Sequence, residues 1–337
     1  MPDGLFEGFT PVLFAVLGLA IAFDYINGFH DTANAIATSV TTRALKPAWA
    51  IAMSAVANFA GALVGLEVAR TVSSGIIDTN VESQTVIAAA LVGAIVWNLL
   101  TWRLGIPSSS SHALIGGLLG AALVSAGIGS WQMDGVLGKV LLPLVASPII
   151  GFVVGLLLMA LIFNVFRRAH PGRLNANFRR LQVISAAFMA FSHGSNDAQK
   201  TMGIMTLALF TAGIQATLEP PLWVILTAAT ALSLGTAAGG WRIIHTMGTK
   251  VVKLDPVHGF AAETTAASII IGASQLGMPV STTHVISSAI MGVGSSDRIR
   301  TVRWSVARSI VTAWILTIPA SGTTAAVAYL ILNPLLG

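Results

Sequence analysis

Apolar residues fill this chain in blocks, at 10–40, 48–69, 86–103, 112–126, 136–166, 181–210, 222–245, 260–276, 284–294 and 305–333. A helix rises ~1.5 Å per residue and must cross about 30 Å of hydrocarbon, so apolar runs of roughly 18 residues or more read as membrane spans. The pattern predicts an all-α polytopic membrane protein, multi-pass in the cell (plasma or inner) membrane. The segments flanking two polar turns are short. The stretch from His284 to the Gly294–Asp297 loop is about half of the ~20 residues that a full span needs. The stretches 86–126 and 260–294 therefore read as re-entrant helical hairpins with those polar turns at their tips. Loop charge does not choose between a hairpin and two full spans, since both return the chain to the same side. Segment length carries the expectation, and 86–103 is itself nearly long enough to span.

The polar interruptions recur. Gly28-Phe-His-Asp31-Thr-Ala-Asn34-Ala is matched by Gly194-Ser-Asn-Asp197-Ala-Gln-Lys-Thr201, and Gly105-Ile-Pro107-Ser-Ser-Ser-Ser-His112 by Gly277-Met-Pro279-Val-Ser-Thr-Thr-His284. The offset from Asp31 to Asp197 is close to that from His112 to His284, so the order is kept and the register nearly so. Two copies of a polar break in an apolar chain are the pattern of transporters built from internal repeats.

Charge placement orients the halves. Lys and Arg gather in cytoplasmic loops of membrane proteins. In the first half 41–47 carries Arg43 and Lys46, while 71–85 carries Asp78 and Glu82 and 125–135 only Asp134. In the second half the order reverses: 207–221 has Glu219 and no base, 246–256 has Lys250 and Lys253, and 295–304 has Arg298, Arg300 and Arg303. Equivalent loops then lie on opposite sides, which predicts two inverted-topology repeats, 1–166 and 181–337, with both chain ends outside. The basic stretch 167–180 between them reads as a cytoplasmic linker. Arg70, at an outer edge, fits this scheme poorly.

Composition narrows the picture further. Charged residues make up 9% of the chain against about 25% in soluble domains, and mean hydropathy is +0.81. The net charge of +5 could suggest nucleic acid, but the bases sit in a few short loops, which argues against such a partner. Cysteine is absent, so disulfides and thiolate metal sites are excluded. The first apolar run meets Asp24 and Asn27 without a small-residue cleavage site, so no cleaved leader is expected.

Asp31 and Asp197 sit mid-segment at equivalent positions, each beside glycine and amide residues (Asn34; Asn196 and Gln199). An ionised Asp in hydrocarbon is costly unless it faces a cavity or a partner. In repeat transporters such matched breaks converge near the midplane, where substrate and ions bind. Carboxylate, amide and hydroxyl oxygens are hard ligands that suit Na⁺ or a proton. Gly28 and Gly194 are expected to let the backbone break there and free carbonyls. The hydroxyl runs Ser109–Ser111 and Ser281–Thr283 each follow a proline and precede an apolar helix. A helix N-terminus is an anion site; a single N-cap would account for one hydroxyl of each run.

Several residues keep two readings. Lys200 either balances Asp197 or contacts an anion. Arg103, whose counterpart is Gln275, reads as a snorkelling side chain. His30, His193, His112 and His284 are hydrogen-bonding scaffold or a proton relay, and Glu67 and Glu263 serve an ion path or a structural bond. A Ser–His–Asp hydrolase is disfavoured, since adjacent Ser111-His112 is poor geometry for a nucleophile and base, and no Gly-x-Ser-x-Gly turn occurs. The chain is read as no enzyme.

With these residues in view, the chain resembles the inorganic phosphate transporter (PiT) family. That family repeats a Gly-x-x-Asp-x-x-Asn motif, matched at Gly28–Asn34 and Gly194–Asp197, and a Pro-[Val/Ile]-Ser-x-Thr-His motif, matched at Pro107–His112 and Pro279–His284. Lys200 stands where a strict repeat places Asn, and Ser110-Ser111 replaces a pair containing Thr. The short central connector indicates a bacterial or archaeal short form. The resemblance implies a secondary symporter of inorganic phosphate with Na⁺ or H⁺, working by alternating access and needing no cofactor beyond the coupling ion. It places the coupling ions at the Asp motifs and phosphate at the hydroxyl tips. Joined to the residue reading above, this gives Ser109, Ser110, Ser111, Ser281, Thr282, Thr283, Gln199 and Lys200 as expected phosphate ligands, and Asp31, Asn34, Asn196 and Asp197 as expected Na⁺ ligands. Proton or metal-phosphate coupling, sulfate as cargo and a passive anion channel are the rival readings. A homodimer is admitted, though no segment marks a dimer face.

Overall fold

The computed structural model describes residues 8–78, 83–296 and 298–336. Glu82 and Asp297, used above in the loop pattern, lie outside them. The described chain is helical: α1 (Pro11–Thr41), α2 (Pro47–Ala62), α3 (Glu67–Ser74), α4 (Gln84–Leu104), α5 (Ser110–Ala126), α6 (Met133–Gly135), α7 (Leu142–Val165), α8 (Pro171–Thr211), α9 (Leu222–Ala238), α10 (Trp241–His245), α11 (Pro256–Gln275), α12 (Thr282–Ser295) and α13 (Trp304–Leu336). A π-helical stretch, Val136–Leu141, joins α6 to α7.

Local chemistry sets these limits. Thr10 caps α1 by accepting from Leu13 N at 3.2 Å, with Pro11 in the first turn, where its missing N–H costs nothing. Pro47 and Pro171 open α2 and α8 in the same way. Asp255 caps α11 through the amides of Val257 and His258. Burial alone would raise its carboxyl, but the His258 side chain and those two amides hold it below its ordinary value. Glycines at positive φ mark matched breaks. Gly65 (φ 83) lies where α2 bends by 70° into α3, and Gly239 (φ 75) where α9 bends by 63° towards α10.

The helices of the two halves exchange partners. α1 lies against α9 while α8 lies against α2; α1 also meets α4 as α8 meets α11; α5 packs on α13 as α12 packs on α7. Glycines permit the closest of these approaches. A Cβ at Gly28 would stand 2.8 Å from Thr236 N, and one at Gly194 would stand 2.7 Å from Asn58 Cα. The contacts are returned: Gly61 faces the backbone of Phe191 on α8, and Gly235 faces that of Tyr25 on α1. The Asn58 amide then donates to Thr236 Oγ1 at 2.9 Å across the middle.

This corrects the expectation for the acidic motifs. α1 and α8 run unbroken through Gly28 and Gly194, so no helix carbonyls are freed there. Those glycines serve close packing instead. The basic stretch between the halves also differs from a simple loop, since residues 171–180 form the first turns of α8. Arg70 is accounted for. It pairs with Glu67 and, at 2.9 Å, with Glu219, so two carboxylates answer one base at that edge.

α4–α5 and α11–α12 are helical hairpins with matching turns. Each first helix closes through a left-handed glycine, Gly105 (φ 68) or Gly277 (φ 67). The next amide folds back to the helix, Ile106 N to Thr101 O at 3.0 Å and Met278 N to Ala273 O at 2.9 Å, the bond of a Schellman close. Pro, one residue, and a capping serine follow. Ser109 Oγ accepts from His112 N at 3.1 Å, and Ser281 Oγ from His284 N at 3.2 Å.

Candidate functional site

The two hairpin turns and the two acidic motifs meet in one buried cluster. Ser110 donates to Asp31 Oδ2 at 3.1 Å, and Thr282, its counterpart, to Asp197 Oδ2 at 3.4 Å. Each acid thus accepts from the first helical hydroxyl of its own half. The residue three positions after each acid crosses over. Asn34 Nδ2 donates to Thr283 Oγ1 at 2.8 Å, and Lys200 Nζ donates to Ser111 Oγ. Thr283 also donates to Asp31 Oδ1 at 3.3 Å, and Ser111 to the Val280 carbonyl at 3.2 Å, so the two turns touch directly. Behind them the rings of His112 and His284 lie 4.8 Å apart, and His284 stacks on Trp314 at 4.0 Å.

Charge is concentrated where solvent is not. Asp31, Asp197 and Lys200 are 2%, 0% and 1% exposed. Lys200 bonds to Asp197 and, at 3.1 Å, to the Val280 carbonyl. His193 Nε2 lies 3.0 Å from Asp197 Oδ2, its Nδ1 is held by Asn58, and His30 Nδ1 lies 2.8 Å from Asp31 Oδ1. One ligand atom each from Asp31, His193 and Asp197 falls within 4.8 Å of the others, a spacing that a single cation can bridge. With the histidines neutral, the two acids and Lys200 sum to one negative charge. A phosphate placed here would need mobile cations to approach neutrality in low dielectric.

Not every residue singled out in the sequence faces this cluster. Gln199 turns away: its Oε1 accepts from Val68 N at 2.9 Å and its amide donates to Ser195 O, so it pins α3 to α8. Ser109 and Ser281 are engaged as N-caps, with their hydroxyls on the amides of His112 and His284. Asn196 lies beside the second turn, donating to Ser274 Oγ at 2.8 Å and to the Met278 carbonyl at 3.2 Å, while its own carbonyl oxygen has no partner. Glu263 forms a separate node, accepting from Thr38, from Gln182 at 3.1 Å and from Ser185 at 2.5 Å. Glu67 is half exposed in its pair with Arg70. Sequence reasoning missed the Val280 carbonyl, Ser274 and Asn58. Of these only Asn58, a lone amide inside an apolar run, left a signal.

Two cavities open beside the hairpin turns. One of about 430 Å³ is lined by Arg103, Gly105, Arg242, His245 and Lys250 at the first turn. The other, of about 410 Å³, is lined by Glu67, Arg70, Gln132, Asp134 and Gly277 at the second.

The model of the phosphate transporter family matches residues 27–325, a span that holds all four motifs. The chain belongs to the phosphate transporter family. Among its relatives, a protein of Bacillus subtilis (strain 168), named a "probable low-affinity inorganic phosphate transporter", is 50% identical over 93% of this chain and 95% of its own length. A protein of the same name from Rhizobium meliloti (strain 1021) is 49% identical over 95% and 96%. Among solved structures, one described as "the sodium-dependent phosphate transporter" superposes with a TM-score of 0.85 at 24% identity, over 97% of this chain and all of that one. That likeness is one of fold. Family membership makes this chain a transporter rather than an enzyme, and its several long apolar helices fit a multi-pass membrane protein.

Proposed function

We propose that the protein is a secondary symporter that carries inorganic phosphate with Na⁺ by alternating access. The observation that carries the reading is the reciprocal bonding of each acidic motif to both hairpin turns, among side chains buried from solvent. Phosphate would lie between the first turns of α5 and α12, whose leading amides have no intrahelical acceptors and whose dipoles favour an anion. Ser110, Ser111, Thr282 and Thr283 would turn their hydroxyls from the acids to the phosphate oxygens. Na⁺ would lie between phosphate and the oxygens of Asp31, Asn34, Asn196 and Asp197. Lys200 supplies a fixed positive charge to the same cluster. The sodium-dependent neighbour in fold supports this choice of ion.

The inverted arrangement of 1–166 and 181–337, with 167–180 as the cytoplasmic linker, is supported by the exchanged helix partners together with the reversed loop charges. α5 and α12, at 17 and 14 residues, are ~25 and ~21 Å long, short of the ~30 Å of a full crossing. Hairpins entering from opposite sides would bring their turns together near the midplane. The two cavities at those turns would then open to opposite solutions, the basic one to the cytoplasm.

Uptake of labelled phosphate into proteoliposomes, with and without an inward Na⁺ gradient, tests the reading. Accumulation driven by Na⁺ is expected. Uptake that ignores Na⁺ and follows a pH gradient would replace the coupling ion, and equilibration without accumulation would make the protein a channel. Competition by sulfate tests the cargo, and phosphate is expected to prevail.

A further inference from the structure

One buried acid has no place in the reciprocal cluster. Asp24, on α1, is fully buried, and among the described residues neither of its oxygens makes a hydrogen bond within strict limits. By the offset that relates Asp31 to Asp197, its position in the second half is Ala190, so the repeat does not account for it. The side chains bordering it are Asn27, one turn along α1, and Thr201 on α8. The Asn27 carbonyl oxygen and the Thr201 hydroxyl are also buried and without partners. Asp197 and Lys200 are the charged groups that act on it through space. Lys200 makes its own bonds to Asp197, Ser111 and Val280, and so reaches Asp24 only through space.

An orphaned carboxylate in a membrane helix calls for a counter-charge. Glu263 shows the other solution, an acid held by three donors. Asp24 has no comparable set: among the described residues it has only the Thr201 and Asn27 side chains near it, and neither bonds it within strict hydrogen-bond limits. Asp24, Asn27 and Thr201 together offer four buried oxygens, a hard ligand set of the kind that takes a small monovalent cation.

We propose that Asp24, Asn27 and Thr201 form a second Na⁺ subsite on the seam between α1 and α8, outside the phosphate cluster. It lies two helical turns, or ~10 Å, from Asp31 towards the N-terminus of α1. That is also the side of the C-terminal end of α8, where the following loop carries Glu219 and no base. A cation held there stages the ion before it reaches the cluster. This rests on the reading of the protein as a Na⁺-coupled carrier.

The test uses purified full-length protein in two arms: equilibrium binding of radiolabelled Na⁺, and Na⁺ activation of phosphate uptake in proteoliposomes. Asp24→Asn keeps the shape of a neutral carboxylic acid and removes the charge. It is expected to bind one fewer Na⁺ per chain and to raise the half-activating Na⁺ concentration about tenfold. Thr201→Val, which keeps the volume and removes one ligand oxygen, should shift activation the same way by less, and guards against a folding defect in the first variant. An unchanged Na⁺ count in both variants would show Asp24 to be a protonated structural group and overturn the subsite. Failure of the parent reading looks different. Wild-type uptake would then ignore Na⁺, and the binding arm would still decide whether Asp24 holds the ion.

Discussion

Asn34 and Lys200 occupy the same place in the two halves, three positions after the acid of each, and each reaches the second hydroxyl of the opposite hairpin. The acids beside them also match, Asp31 taking its bond from Ser110 and Asp197 from Thr282. The geometry is shared and the charge is not. In the second half an ammonium is tethered to the acid, so Asp197 is paired in place. In the first half a neutral amide stands at that point, and Asp31 keeps only His30 and hydroxyls. Matched geometry can thus fix where polar groups meet while one side chain decides which half keeps an unbalanced charge.

The most damaging way to probe that difference is Asp197→Ala. It leaves Lys200 buried without its carboxylate, a loss of about 3–5 kcal/mol where a buried pair is broken from one side. Phosphate uptake should fall to background, and undiminished transport would remove Asp197 from the site. Lys200→Asn makes the halves alike. The number of Na⁺ carried per phosphate, read from reversal potentials, should rise by one, and thermal stability should come to depend on Na⁺. An unchanged stoichiometry would break the comparison.

The scaffold should respond evenly. Gly28→Ala and Gly194→Ala each drive a Cβ into the backbone of the facing helix. Overpacking of this kind costs about 1–3 kcal/mol, and melting temperatures of the two variants should fall together. The smallest paired effect is expected at the caps. Ser109→Ala and Ser281→Ala each remove one bond to a first-turn amide, worth about 1 kcal/mol. A large disparity in thermal melts would show that the hairpin turns are not equivalent supports.

Much of this was legible in the chain itself. Apolar blocks located most of the long helices to within a few residues, because burial in lipid demands continuous hydrophobicity whatever the tertiary contacts are. α8 is the exception, since its first turns, 171–180, lie in the basic stretch before its block. The motif Gly-x-Pro-x-Ser before an apolar run marked both hairpin turns, since a left-handed glycine, a proline and a cap each impose local geometry. Other features lay beyond local rules. Gly28 and Gly194 read as helix breakers, yet they are the flat faces on which α9 and α2 rest. A missing Cβ permits both uses, and only the neighbour decides between them. Gln199 sat inside a motif and still pointed to α3, because adjacent positions on a helix face different directions.

Sequence alone therefore determined the apolar surroundings of the protein, the place of most of its long helices, the paired motifs and the residue types available at the site. These follow from composition and spacing, which act residue by residue. The tertiary structure decided which hydroxyls meet which acids, that Lys200 crosses to the opposite hairpin, and that Asp24 is buried beside Asn27 and Thr201. Those outcomes depend on the exchange of helices between the halves, and a contact between residues so far apart in the chain exists only once the packing that joins them has formed.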